Sequence, residues 1–185
     1  MTPRPPDPDR DIGPENPRPC GDCDLCCRLL EVKALGKAAG ERCRHLVAGV
    51  GCSIHASRPE QCSSFQCQWT VSPLLGDEWR PDRANFLIWA QAEGQIIVEV
   101  DPDHPDAWRA APYYNNLRNW SAPPVNLQVL VRAADQVFMV FPEADVAMGP
   151  LQPDKPMTWG YQLRYDGKRV PYAYFGEPPA ATDAG

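Results

Sequence analysis

Eight cysteines are the residues of this sequence best suited to chemistry, and all of them lie between residues 20 and 67. Zinc and iron–sulfur clusters are held by thiolates that converge from separate chain segments, and the spacing Cys-x2-Cys supplies two such ligands from one turn. The pattern therefore predicts a metal centre. Its candidate ligands are Cys20, Cys23, Cys26, Cys27, Cys43, Cys52, Cys62 and Cys67.

The number of centres stays open at this point. A tetrahedral ion takes four ligands and so does a cubane cluster, so eight cysteines suit two centres or one centre with spare thiols. The triple Cys-x2-Cys-x2-Cys resembles ferredoxin ligation more than zinc-ribbon pairs, which favours a 4Fe–4S cluster, with zinc as the alternative. The ferredoxin run continues with a Cys-Pro three residues on, whereas here the next residue is already Cys27.

Three other interpretations of the cysteines compete with metal binding. Disulfides are disfavoured because the amino terminus has no apolar signal segment, and we expect a cytosolic protein whose thiols stay reduced. Inert buried thiols would not explain eight cysteines at such short spacings. A thioredoxin-like dithiol expects a βαβ setting, which this segment lacks. His45, His55 and His104 are interpreted as loop or turn residues and not as ligands.

A short helix is predicted to carry the first cysteine cluster. Cys23, Cys26 and Cys27 occupy positions i, i+3 and i+4, which share one helix face, with Cys20 one turn earlier. On the opposite face lie three apolar residues that can be buried, Leu25, Leu29 and Val32. The helix would therefore present sulfur on one side and an apolar stripe on the other.

Two further features are expected to position the later cysteines. The sequence Ser57-Arg-Pro-Glu60 fits a capping box with Pro59 in the first helical turn, and it predicts a short helix that carries Cys62, with Cys67 just beyond it. Gly49 and Gly51 allow a tight turn that returns Cys52 towards the first cluster.

The composition restricts the classes of partner. The formal net charge of −6 gives no long-range attraction to nucleic acid or to an anionic membrane, so neither is expected as a partner. No stretch approaches the apolar length of a membrane helix. The 185 residues include 22 prolines, about twice the usual share, which predicts short elements and many loops.

The predicted fold class is α+β, with four segments along the chain. A Pro-rich tail at 1–19 and a second tail at 177–185 are expected to be disordered. A cysteine-rich metal-binding module with short helices is predicted at 20–70, and a small antiparallel sheet with a helix is predicted to pack on it at 71–176.

The sequence after residue 70 contains several strand and turn signals. FLIWAQ (86–91) and IIVEV (96–100) flank a turn at Gly94, and NLQVLVR (126–132) precedes QVFMVF (136–141). Between these pairs a helical stretch from Pro105 to Trp120 is expected to break at Pro112. The dipeptide Asp166-Gly167 predicts a hairpin turn between GYQLRY and KRVPYAYF.

The cysteine pattern resembles the YkgJ-type cysteine-cluster family, which is described as a putative zinc- or iron-chelating domain. The resemblance covers residues 20–70 and rests on Cys20-x2-Cys23-x2-Cys26-Cys27, Cys43, and then Gly51-Cys52-x-Ile54-His55-x2-Arg58-Pro59-x2-Cys62-x2-Phe65-x-Cys67. It implies metal chelation by all eight cysteines. The family often has an aromatic residue where His55 stands. Lysine methylases that act on flagellin are similar in this domain, but their additional sequence is not recognisable here.

These observations favour a metal-binding protein over an enzyme. No Ser-His-Asp set, phosphate loop, dinucleotide fingerprint or zinc-protease motif is present in the sequence. The leading hypothesis is an iron–sulfur protein with an electron-transfer, sensing or structural role, and with an unidentified protein partner. The alternatives are a structural zinc module that supports an interaction domain, and an uncharacterised enzyme that uses the metal centre.

Overall fold

The computed structural model describes residues 17–177 together with Gly13 and Glu15. Most of the two predicted tails, 1–19 and 177–185, lies outside these described residues. The chain divides into two compact units between Trp89 and Ala90. Among the described residues, no helix has the length and apolar character needed to cross a membrane.

The first unit is built from very short elements, as the proline content predicts. Its α-helices are α1 (Leu25–Leu29), α2 (Glu60–Ser63), α3 (Gln68–Val71) and α4 (Pro81–Ala84). Single turns of 3-10 helix lie at Lys33–Leu35, His55–Ser57 and Asp77–Trp79. Its strands are β1 (Leu46–Val47) and β2 (Gly51–Cys52), which pair antiparallel, and the first part of β3 (Phe86–Ala92).

A small apolar cluster anchors α1 in this unit. Leu25 and Leu29 are buried against Leu87 of β3, and Trp89 and Phe65 pack on the same cluster. Burial of Leu25 and Leu29 is as predicted. The helix ends at Leu29 because Leu30 adopts an extended conformation, and α1 is therefore less than two turns long.

The second unit contains a mixed sheet and a separate hairpin. Its elements are β4 (Gln95–Val100), α5 (Tyr113–Ser121), β5 (Gln128–Ala133), β6 (Gln136–Val140), β7 (Asp145–Gly149), β8 (Met157–Leu163) and β9 (Arg169–Phe175). The strand order of the five-stranded sheet is β3-β4-β5-β6-β7, and β8 and β9 form a two-stranded sheet.

The predicted α+β class is confirmed, but the prediction of an antiparallel sheet is wrong for one strand pair. Strands β4 and β5 pair parallel, with Gln95 opposite Gln128. A parallel pair needs a crossover connection, and α5 lies in the segment that joins these strands. Three consecutive residues of β5, Val129 to Val131, are buried, as expected for a strand covered on both faces. That the cysteine-rich part binds metal stays a prediction.

The local turn predictions for the second unit are confirmed. Strands β5 and β6 pair antiparallel, and so do β8 and β9, which flank the Asp166-Gly167 turn. Gly167 has a φ of 79°, in the left-handed region that favours glycine. The predicted helical stretch is interrupted at Pro112, with one 3-10 turn at Ala107–Arg109 before it and α5 after it.

Candidate metal centre

The eight cysteines all lie in the first unit, and each is a thiol outside any disulfide. Four of them line one cavity of about 20 Å³, which is room for one water-sized sphere. These four are Cys20, Cys23, Cys26 and Cys67. The remaining wall is formed by Trp69, Thr70, Pro81 and Leu87. The cavity thus combines several sulfur atoms with a largely apolar lining.

The first cysteines reach this cavity through a turn and the start of α1. The amide of Cys23 donates to the carbonyl of Cys20 at 3.2 Å, and Asp24 is the N-cap of the helix. Cys23 therefore precedes the helix, so the prediction that it shares a helical face with Cys26 and Cys27 is wrong. Cys23 and Cys26 also pack against the apolar cluster around Leu25. The sequence predicted cysteine side chains on one face of the helix and apolar side chains on the other. In this short helix the two groups are not separated in that way, because Cys26 packs on the apolar cluster.

Cys67 joins the cavity from a distant part of the chain. It is the N-cap of α3, and the amide and hydroxyl of Thr70 both donate to its carbonyl, at 2.9 and 2.7 Å. Its position just beyond the helix that carries Cys62 confirms the sequence prediction. These backbone contacts fix the Cys67 main chain beside the cavity.

The other four cysteines are Cys27, Cys43, Cys52 and Cys62. The amide of Cys43 donates to the carbonyl of Cys27 at 3.0 Å, and the carbonyl of Cys43 accepts from the amide of Leu46 at 3.0 Å. Leu46 is paired with Cys52 across the β1–β2 hairpin. The turn of this hairpin contains Gly49, with a φ of 70°, as predicted. Three of the four cysteines are therefore linked by consecutive backbone contacts.

Helix α2 brings Cys62 to the segment that follows α1. The side chain of Gln61 donates to the carbonyl of Glu31 at 2.8 Å and accepts from the amide of Lys33 at 3.0 Å. The predicted capping box is wrong: no side chain caps α2, and its N-cap is Pro59. The hydroxyl of Ser57 instead donates to the carbonyl of Ile54 at 3.5 Å, because His55–Ser57 forms a separate 3-10 turn.

The pKa values of the cavity thiols are set mainly by burial. Burial raises the pKa of Cys20 and Cys23, and it raises that of Cys67 to about 11. The thiol of Cys26 shares a hydrogen bond with Cys27, which raises the pKa of Cys26 and lowers that of Cys27 to about 7. A metal that binds here must therefore displace protons from most of these thiols.

Positive charge adjoins the cysteines, and the sequence interpretation missed this feature. Two guanidinium groups lie near the ring of Trp69, which forms one wall of the cavity, with Arg18 at 5.3 Å and Arg80 at 5.9 Å from the ring centroid. Burial is the largest influence on the Cys20 thiol and raises its pKa. The positive charges of Arg58 and Arg80 lower that pKa. Arg80 also forms a close ion pair with Asp22, which lies in the turn between Cys20 and Cys23. No pattern in the sequence links Arg18 or Arg80 to the cysteines.

Thiols are donors that thiophilic metals prefer, but these side chains are not arranged as a coordination sphere. Among residues 17–177, no three Cys, His, Asp or Glu side chains are arranged to hold an ion as they stand. A change of χ1 rotamer moves a cysteine sulfur without moving the backbone. The ring of His55 contacts the guanidinium of Arg58, with Nε2 at 2.8 Å.

Comparisons of the chain with protein-family models, with curated proteins and with solved structures found no match. The resemblance to the YkgJ-type family therefore stays a prediction from the cysteine spacing.

Proposed function

We propose that residues 20–70 form a metal-binding module whose cysteine thiolates hold an iron–sulfur cluster. The observation that carries this proposal is the shared cavity of Cys20, Cys23, Cys26 and Cys67. These residues come from two segments that are far apart in sequence, and thiolates from several segments are what both clusters and zinc require. A bound cluster would supply electron-transfer or redox-sensing chemistry, or structural support.

The surroundings of the cavity support this assignment. Apolar side chains such as Leu87 and Pro81 form part of the lining, and a hydrophobic surrounding influences the potential of a cluster. The guanidinium groups of Arg58 and Arg80 offset the negative charge that thiolates would bring. Burial disfavours free thiolates at these positions, and coordination to a metal would stabilise them in that form.

The test is elemental analysis of protein purified without oxygen. We expect brown protein with iron and acid-labile sulfide in comparable amounts. Cys23→Ser and Cys26→Ser should lose metal most severely, whereas Ser53→Ala, next to Cys52 but without a thiol, should retain it. Full metal content in both cysteine variants, or metal-free wild-type protein, would refute this placement.

Zinc is a second candidate, because the four cysteines that line the cavity are also a complete donor set for a structural zinc ion. The module would then be structural and would support an interaction domain. Colourless protein with stoichiometric zinc would select this candidate. Chelation should then unfold the first unit, since metal-binding energy is also folding energy, and an unchanged circular dichroism spectrum after chelation would argue against it.

A further inference from the structure

We infer that the eight cysteines form two sets of four, so that the module holds two adjoining metal centres. The first set is Cys20, Cys23, Cys26 and Cys67; the second set is Cys27, Cys43, Cys52 and Cys62. This inference rests on the proposed function and adds the number of centres and their ligands, which the sequence left open.

The first set is defined by the cavity. Its four cysteines line one space, and none of the second set lines that space. Four thiolates complete the coordination of a structural zinc ion or of a cubane cluster. The first set thus accounts for one whole centre without drawing on the remaining thiols.

The second set is defined by backbone contacts. Cys43 is hydrogen-bonded to Cys27 at 3.0 Å, and the β1–β2 hairpin places Cys52 opposite Leu46, whose amide bonds to Cys43. The two contacts of Gln61 with the chain after α1 bring Cys62 to the same region. Backbone contacts thus join the segments of Cys27, Cys43 and Cys52, and α2 places Cys62 beside the chain that leaves α1.

Neighbouring residues on α1 can serve different centres because of helix geometry. Successive side chains of an α-helix are rotated by about 100°, so the Cα–Cβ bonds of Cys26 and Cys27 diverge. Cys26 packs on the apolar cluster beside the cavity, whereas the Cys27 carbonyl is bonded to Cys43. Metal binding would replace the present hydrogen bond between the two thiols.

The test is a zinc titration of the metal-free, full-length chain, followed by native mass spectrometry. We expect two zinc ions per wild-type chain. Cys67→Ala, from the first set, and Cys62→Ala, from the second set, should each retain one ion, and the double variant should retain none. Ser53→Ala is the matched control that should retain two.

Alkylation with iodoacetamide identifies which thiols each variant loses from coordination. In zinc-loaded Cys67→Ala, the thiols of Cys20, Cys23 and Cys26 should become reactive while the second set stays protected; Cys62→Ala should show the reverse.

If Cys67→Ala does not fold, Cys20→Ala replaces it. A single ion in the wild type, or complete loss of zinc in a folded single variant, would overturn the two-centre arrangement while leaving metal binding intact. Wild-type protein that binds no metal would instead refute the proposed function itself.

Discussion

Lys37 donates its ammonium to the carbonyl of Leu30, directly beyond the helix that carries Cys26 and Cys27. The same ammonium reaches the carbonyl of Ala38 at 3.2 Å, and Lys37 is only 5% exposed. A buried lysine is costly unless its donors are satisfied, and a cation is favourable at the carboxyl end of a helix. Lys37 therefore fixes the end of α1 and adds positive charge near Cys27.

We expect Lys37→Met to lower the free energy of unfolding of the metal-free protein by about 1–3 kcal/mol, because the carbonyls of Leu30 and Ala38 lose a charged donor. Urea denaturation followed by circular dichroism measures the change. Lys33→Met is the matched control, since Lys33 is exposed and its removal changes the net charge equally. Equal stability of the two variants would show that the Lys37 contacts contribute nothing.

A second prediction concerns Arg18, which fixes the tryptophan wall of the cavity. Its guanidinium donates to the carbonyls of Trp69 at 3.0 Å and Leu75 at 2.5 Å, in addition to lying over the Trp69 ring. We expect Arg18→Gln to weaken zinc binding several-fold, because a looser wall raises the cost of ordering the first cysteine set. Competition with a chromophoric zinc chelator measures the affinity.

Arg42→Gln is the control for this experiment, because Arg42 is exposed and shares the charge of Arg18. If both substitutions weaken zinc binding equally, net charge explains the effect and the contacts with Trp69 do not.

The local signals of the sequence were reliable where a few neighbouring residues determine the outcome. A glycine with positive φ makes the Asp166-Gly167 turn, and Pro112 interrupts the helical stretch before α5. The parallel pairing of β4 with β5 was missed. It depends on the direction in which a long connection returns to the sheet, and the residues near each strand do not determine that direction.

At the cysteine site, too, the sequence predicts local features but not long-range contacts. Residue type and spacing identify the eight candidate ligands, but α1 starts at Leu25, so Cys23 lies outside the helix and the expected helical face does not form. The approach of Cys67 to Cys20 is a long-range contact of the folded chain. Arg18 and Arg80 had no signal of their own in the sequence, because their role depends on the folding that brings both near the Trp69 ring.

A third prediction compares two thiols of the metal-free protein. The hydrogen bond from Cys26 lowers the pKa of Cys27 to about 7, whereas burial raises that of Cys67 to about 11. Thiolates are the reactive form, so a short pulse of iodoacetamide near neutral pH should alkylate Cys27 well before Cys67. Peptide mass spectrometry measures both rates in one sample. Cys26→Ala should slow the reaction of Cys27, because it removes the donor; an unchanged rate would contradict the hydrogen-bond explanation.

The last prediction concerns Asp145 in the second unit. Arg109 donates two hydrogen bonds to its carboxylate, at 2.7 and 2.8 Å, and the hydroxyl of Tyr114 donates a third at 2.6 Å. Burial alone would raise the pKa of Asp145, but these hydrogen bonds outweigh it and the pKa is lowered. The guanidinium also lies over the Trp108 ring, 4.0 Å from its centroid.

Because the pKa of Asp145 is lower in the folded state, its contribution is complete above the unfolded pKa of about 4 and is lost as the pH falls through the folded value. We expect Asp145→Asn to lower the free energy of unfolding by about 1–2 kcal/mol at pH 7, a modest value because Arg109 is partly exposed. The difference from the wild type should shrink towards pH 3 in urea denaturation. Asp106→Asn is the control, since Asp106 is 87% exposed and 3.9 Å from Arg109. A loss for Asp145→Asn that is equally large at pH 3 would mean that its shape, and not its charge, stabilises the unit.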